Sequence, residues 1–183
     1  MRKLGFLASF AALSLADPAS ARLITFDDLP DISPYHRIPN PYDGFDWSAH
    51  FRYLDGADYL YPSGYQSGVV SPPNVAFNGD GLPVSFSRRI PFELDSFYLT
   101  AAWRMGLEVT VTGELNGVAV DSTTLTVNPS GPTVETFGWD VNKVVFHSFG
   151  GTPVGFEGYQ FVLDDLRVSP VPDPSTAFSP LRG

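Results

Sequence analysis

Cysteine is absent from the 183 residues. Disulfide bridges, thiolate nucleophiles and cysteine-ligated metals are therefore excluded, and the fold must rest on its core or on a bound ion. Histidine is scarce: His36, His50 and His147 show no metal-ligand spacing, and a zinc centre needs three or four convergent ligands. Positive charge is short as well. Eleven Lys and Arg stand against 20 Asp and Glu, for a formal charge of −9, so nucleic acid or an anionic lipid surface would be repelled. No Gly-x-Ser-x-Gly elbow and no glycine-rich phosphate loop is present; Gly64-Tyr65-Gln66-Ser67-Gly68 misplaces the serine. The carboxylates offer no specific acid–base pair, so no catalytic residue is assigned.

Long apolar runs are also missing. The longest, Leu4 to Ala16, contains two serines and a glycine and falls short of the ~20 residues a membrane span needs. Arg2 and Lys3 precede it, and Ala19-Ser20-Ala21 follows. This basic, apolar, small-x-small order predicts a signal peptide over residues 1–21, cleaved after Ala21. A secreted, extracellular protein with no membrane span in its mature chain is the expectation.

Turn formers and β formers dominate what remains. Seventeen glycines and seventeen prolines punctuate short runs rich in Val, Thr, Phe and Leu, with 14% aromatic residues. Leu107 to Thr112 alternates apolar and polar, as a half-buried antiparallel strand does. Asn116-Gly117 before Val118 predicts a type I′ hairpin, because both residues tolerate positive φ. About ten strands without a fixed repeat predict an all-β fold: a two-sheet antiparallel β-sandwich of jelly-roll type over residues 22–168. Residues 169–183, with four prolines, read as a disordered tail.

Two acidic pairs conflict with strand alternation. Phe26-Asp27-Asp28-Leu29 and Leu163-Asp164-Asp165-Leu166 each place adjacent carboxylates at a strand, and both members cannot face water while the strand stays regular. Asp164 falls in phase with Val162, Leu166 and Val168, which points it inward. A buried carboxylate needs a cation, strong donors or a proton. A structural calcium ion held by some of Asp27, Asp28, Asp164 and Asp165 is one expectation, since this cation takes oxygen ligands. A β-bulge, or hydrogen bonding to turn amides, is the other.

Residues 30–68 read as a long irregular region, with short strands near Phe45–Trp47 and Phe51–Leu54. It carries nine aromatic residues interleaved with aspartates. Exposed rings stack on sugar C–H faces, and buried ones simply cover a sheet. Tyr42, Trp47 and Tyr53 are the candidate ligand contacts, with Asn74 and Asn78 as polar partners.

Several motifs occur in a familiar order: Ile24-Thr25-Phe26-Asp27-Asp28-Leu29, Tyr42-Asp43-Gly44-Phe45-Asp46-Trp47, Asn74-Val75-Ala76-Phe77-Asn78-Gly79, Tyr98 to Trp103 and Phe161 to Leu166. Together, over about residues 23–168, they resemble a group of uncharacterised secreted fungal proteins related to bacterial exported proteins with PEP-CTERM sorting tails. The resemblance implies a galactose-binding-like or carbohydrate-binding-module-like jelly-roll, commonly with a structural calcium near the first and last strands. Val171-Pro172-Asp173-Pro174-Ser175 is similar to the sorting motif, with Asp for its usual Glu and no apolar span after it. The expected function is a non-catalytic module that recognises glycans or an extracellular surface through residues 35–65. The alternatives are an effector with a protein partner and, behind it, a polysaccharide-active enzyme.

Overall fold

The computed structural model describes residues 20–30 and 34–171. The expected signal peptide, apart from Ser20 and Ala21, and the tail beyond Val171 lie outside the described residues. The strands are β1 (Arg22–Ile24), β2 (His36–Arg37), β3 (Asp46–Trp47), β4 (Phe51–Asp55), β5 (Asn74–Asn78), β6 (Val84–Ala101), β7 (Arg104–Leu115), β8 (Val118–Val127), β9 (Thr133–Pro153) and β10 (Phe161–Pro170). One helical turn, α1 (Gly64–Ser67), lies between β4 and β5. None of the described helices is long and apolar enough to cross a membrane.

All pairings are antiparallel, in the order β2-β4-β5-β10-β6-β9-β7-β8, with β1 on β10 and β3 on β6. The two longest strands fold this path into a sandwich. The register of β6 with β9 breaks between Ser87 and Phe92. Beyond the break, Phe92–Leu99 pairs with Thr133–Val141 beside β10, while Val84–Ser87 pairs with Lys143–Phe146 beside β7. Val84–Ser87 with Phe92–Ala101, and Thr133–Val141 with Lys143–Phe146, are thus parts of continuous strands that turn a corner.

The core lies between the two layers. Leu107, Val109 and Val111 of β7 are fully buried at alternate positions, as their pattern predicts. Phe146 of β9 meets Phe161 of β10 at 5.3 Å and Phe51 of β4 at 6.1 Å between ring centroids, which ties one layer to the other. The hairpin at Asn116-Gly117 has φ of 53° and 81° and joins Leu115 to Val118, the type I′ geometry expected there. β10 continues to Pro170, two residues past the expected domain end.

A second, smaller core covers the outer face of the first layer. Leu54, Val75, Phe77 and Val162 point away from the sandwich and are roofed by Tyr65 of α1, Ala102 and Trp103. Much of the 30–68 region therefore lies against sheet. β2, β3, β4 and α1 fall within it, and β4 and α1 supply core residues.

Candidate functional site

The predicted aromatic contacts separate by burial. Trp47 is 4% exposed and packs on Phe86, Phe51, Phe45 and Phe26, with its indole N–H donated to the Tyr42 carbonyl at 3.0 Å. Tyr53 is 2% exposed and donates its hydroxyl to the Pro30 carbonyl. Neither ring presents a face to solvent, so the expectation that they form an exposed platform is corrected: both are core residues. Tyr42 is half-buried on Phe26 and donates its hydroxyl to Asp28 Oδ1 at 2.6 Å. Burial and that carboxylate push its pKa up.

Asn74 and Asn78 are buried and held by backbone. Asn74 Nδ2 donates to the carbonyls of Phe26 and Leu29, bracing the turn in which Phe26 adopts a φ of 66°. Asn78 Oδ1 accepts the Phe161 N–H at 2.7 Å, and its Nδ2 donates to Ser148 Oγ. Their partners are structural, which corrects the expectation of an exposed polar contact.

The four aspartates do not form one constellation. Phe161 and Leu163 face the main core, and so do Leu166 and Val168, so the side-chain phase shifts by one residue between them. The β10–β6 register shows the cause, a bulge between Asp164 and Arg167, with Asp165 at a φ of 48°. Asp164 therefore points to the outer face with Val162, not to the main core with Leu166 and Val168. There it is buried under the 69–71 segment. Its Oδ2 accepts the N–H groups of Val70 (2.7 Å) and Ser71 (3.0 Å), and its Oδ1 accepts the N–H of Asp165. Asp165 Oδ1 accepts the Ser71 hydroxyl at 2.7 Å. Burial pushes the Asp164 pKa up to about 7, against the pull of the N–H donors. N–H dipoles aimed at both oxygens oppose a cation there, so this half does not fit calcium.

The other half fits better. Asp27 Oδ1 accepts the Asn74 N–H at 3.0 Å, and Asn74 Oδ1 is a buried oxygen without a hydrogen-bond partner. Among the described residues no three Asp, Glu or His side chains converge as metal ligands. Any ion held here would therefore depend on Asp27, Asn74 and backbone oxygen.

An exposed aromatic ridge was missed by the sequence reading because half of it comes from elsewhere in the chain. Tyr61 is 57% exposed and Phe156 60%, with ring centroids 6.3 Å apart. Phe156 stands edge-on to Trp103 at 4.8 Å. Gly155 lies flat on the Trp103 ring, where a Cβ would come within 2.9 Å of it. Trp103 in turn packs on Tyr65 and Tyr59. The two exposed rings thus sit against a cluster of edge-on and tilted aromatic side chains, at the end of the sandwich where β10 begins. The outer face of β7 and β8 is instead a ladder of hydroxyls, with Thr110 and Thr124 at 3.0 Å.

No protein-family model and no curated protein matches the chain. Among solved structures it is similar to TmCBM61 in complex with β-1,4-galactotriose. That match has 10% identity and a TM-score of 0.38, covering 79% of this chain and 92% of that one. It is also similar to a CBM4 structure, at 18% identity and a TM-score of 0.33, covering 69% of this chain and 87% of that one. The architecture itself is a nearly all-β antiparallel sandwich.

Proposed function

We propose that the protein is a secreted, non-catalytic carbohydrate-binding module whose ligand stacks on the Tyr61–Phe156 ridge. The observation that carries this reading is the pair of large rings left more than half exposed while a buried indole fixes their support. Rings held in advance lose little freedom when a sugar face settles on them. Secretion rests on residues 1–21, and a structural calcium with Asp27 and Asn74 as its side-chain ligands belongs to the same reading.

The test is binding of the purified protein to a panel of neutral polysaccharides, with Tyr61→Ala and Phe156→Ala as variants. Both variants should keep their melting temperature and lose retention. Retention unchanged in both removes the ridge as the site.

One observation favours a protein partner instead. Leu60, 86% exposed, and Val154 flank the two rings with aliphatic surface that a sugar does not need. Capture of a protein receptor without competition by any glycan would select this reading.

A further inference from the structure

A groove of about 980 Å³ lies at the other end of β10, where Val168 to Val171 meets the start of β1 and the 88–91 corner of β6. Arg22, Arg88 and Arg89 line it, together with Ile90, Pro91 and Pro170, and no acidic side chain does so among the described residues. In a chain of formal charge −9, this concentrates positive charge in one concave place.

Arg88 and Arg89 are not neutralised by a carboxylate among the described residues. Arg88 donates through Nε to the Ile90 carbonyl and through Nη2 to the Pro91 carbonyl. Its guanidinium also lies over the Phe45 and Phe92 rings at 5.1 and 5.0 Å. These contacts fix its direction and leave its charge without a carboxylate among the described residues. Burial and the nearby Arg22 pull the Arg88 pKa down, as expected for like charges facing a common space. Arg89 is exposed and makes no ion pair among the described residues. Only Arg22 is paired, through Asp43 Oδ1 at 2.8 Å. Cleavage after Ala21 would remove Ser20 and Ala21 from the groove wall and place an α-ammonium on Arg22.

We infer that this groove is a second binding site, for the carboxylate or sulfate of an acidic polysaccharide. Guanidinium groups pair with such anions through fixed N–H forks, and Ile90, Pro91 and Pro170 supply apolar wall for sugar C–H faces. Arginine clusters can also take acidic peptides; the apolar wall of Ile90, Pro91 and Pro170 beside the guanidinium groups is what favours a saccharide. The assignment rests on the carbohydrate-binding reading but uses a site remote from the aromatic ridge.

The experiment is affinity measurement with the full chain at neutral pH and low ionic strength. The polymers are polygalacturonate, its fully methyl-esterified form, chondroitin sulfate and polyglutamate. Binding to polygalacturonate or chondroitin sulfate is expected to exceed binding to the methyl ester and to be lost as salt is raised, with any residual binding of the neutral ester confined to the Tyr61–Phe156 ridge. Arg88→Gln and Arg89→Gln should each weaken it roughly tenfold or more. Arg89 is exposed and its side chain makes no hydrogen bond or ion pair among the described residues, so its variant keeps the test clear of misfolding.

Equal binding to the ester, or unchanged binding in Arg89→Gln, overturns the assignment. Polyglutamate bound as tightly as polygalacturonate replaces the saccharide with an acidic peptide and also overturns it. Loss of acidic polymers alone, with neutral glycans still held on Tyr61 and Phe156, rejects the groove and spares the ridge. Failure with every glycan rejects both.

Discussion

Asp164 Oδ2 accepts the Val70 N–H at 2.7 Å across 94 residues of sequence, so one buried carboxylate fastens the 69–71 segment to the last strand. Val70 and Ser71 both donate to that oxygen. The segment leads from α1 into β5 and closes one side of the small outer core that roofs the sheet. The acidic pair of β10 is a clasp for backbone.

The clasp gives stability a pH dependence of defined sign. The Asp164 carboxyl ionises near 3.8 when free and near 7 in the folded chain, chiefly because it is buried. Between those values the unfolded chain has released a proton that the folded chain keeps. Stability therefore falls as pH rises from about 4 to about 7, by on the order of a few kcal/mol, and is greatest below that window. Chemical denaturation across this range should show the decline in the wild type and a flatter profile in Asp164→Asn. Parallel profiles would remove the effect. Asp164→Ala leaves the N–H groups of Val70, Ser71 and Asp165 without their acceptor. It should cost about 2–4 kcal/mol at neutral pH, and more at about pH 4, where the wild type is more stable.

Trp47→Ala is expected to lower stability by about 3–5 kcal/mol, the usual range for deleting a buried aromatic ring. It also removes one of the two N–H donors to the Tyr42 carbonyl, the other being that of Phe45. Denaturant midpoints measure the loss. Glycan retention per folded molecule should be unchanged, because the ridge at Tyr61 and Phe156 does not include Trp47.

What the sequence shows of this fold follows from what is local. The Asn116-Gly117 turn needs two residues that accept positive φ, and the β7 alternation needs only a period of two. Both are legible without knowing a partner. Composition cannot separate Trp47 from Tyr61, since both lie in an aromatic, aspartate-rich region. Phe86 and Phe51 enclose the first, while Phe156, 95 positions further on, makes the second part of an exposed ridge. The conflict at Asp164-Asp165 was visible. A β-bulge or hydrogen bonding to turn amides was one of the two expected resolutions, and the structure has both at Asp164. What sequence could not supply is the partner, because that depends on pairing with β6 and on the 69–71 segment. The Arg22–Arg88 groove was hidden for the same reason, its arginines lying 66 positions apart.

Gly64 is expected to accept no side chain. Its N–H donates to the Ala102 carbonyl at 3.0 Å, and a Cβ there would collide with the Ala101 carbonyl group and the Ala102 Cα. The obstacle is backbone, which cannot step aside as a flexible side chain can. Gly64→Ala should lift α1 from the end of β6 and uncover Tyr65 and Trp103. Faster hydrogen exchange over residues 63–70, with the β7–β8 hairpin unchanged, is the expected signature.

Asp27 and Asn74 are where the calcium expectation meets a decisive experiment. Both Asp164 oxygens accept N–H donors and Asp165 Oδ1 accepts the Ser71 hydroxyl, whereas Asn74 retains a buried oxygen with no donor. An ion that binds only the folded chain stabilises it in proportion to its affinity and concentration. Millimolar calcium, compared with a chelator, should therefore raise the melting temperature by about 5 °C or more. The rise should vanish in Asp27→Asn, which keeps an oxygen to accept the Asn74 N–H while losing the charge. It should persist in Asp164→Asn. Identical wild-type melts in calcium and in chelator would leave Asn74 Oδ1 an unpaired acceptor beside a strained turn, and the ion would have no place in this fold.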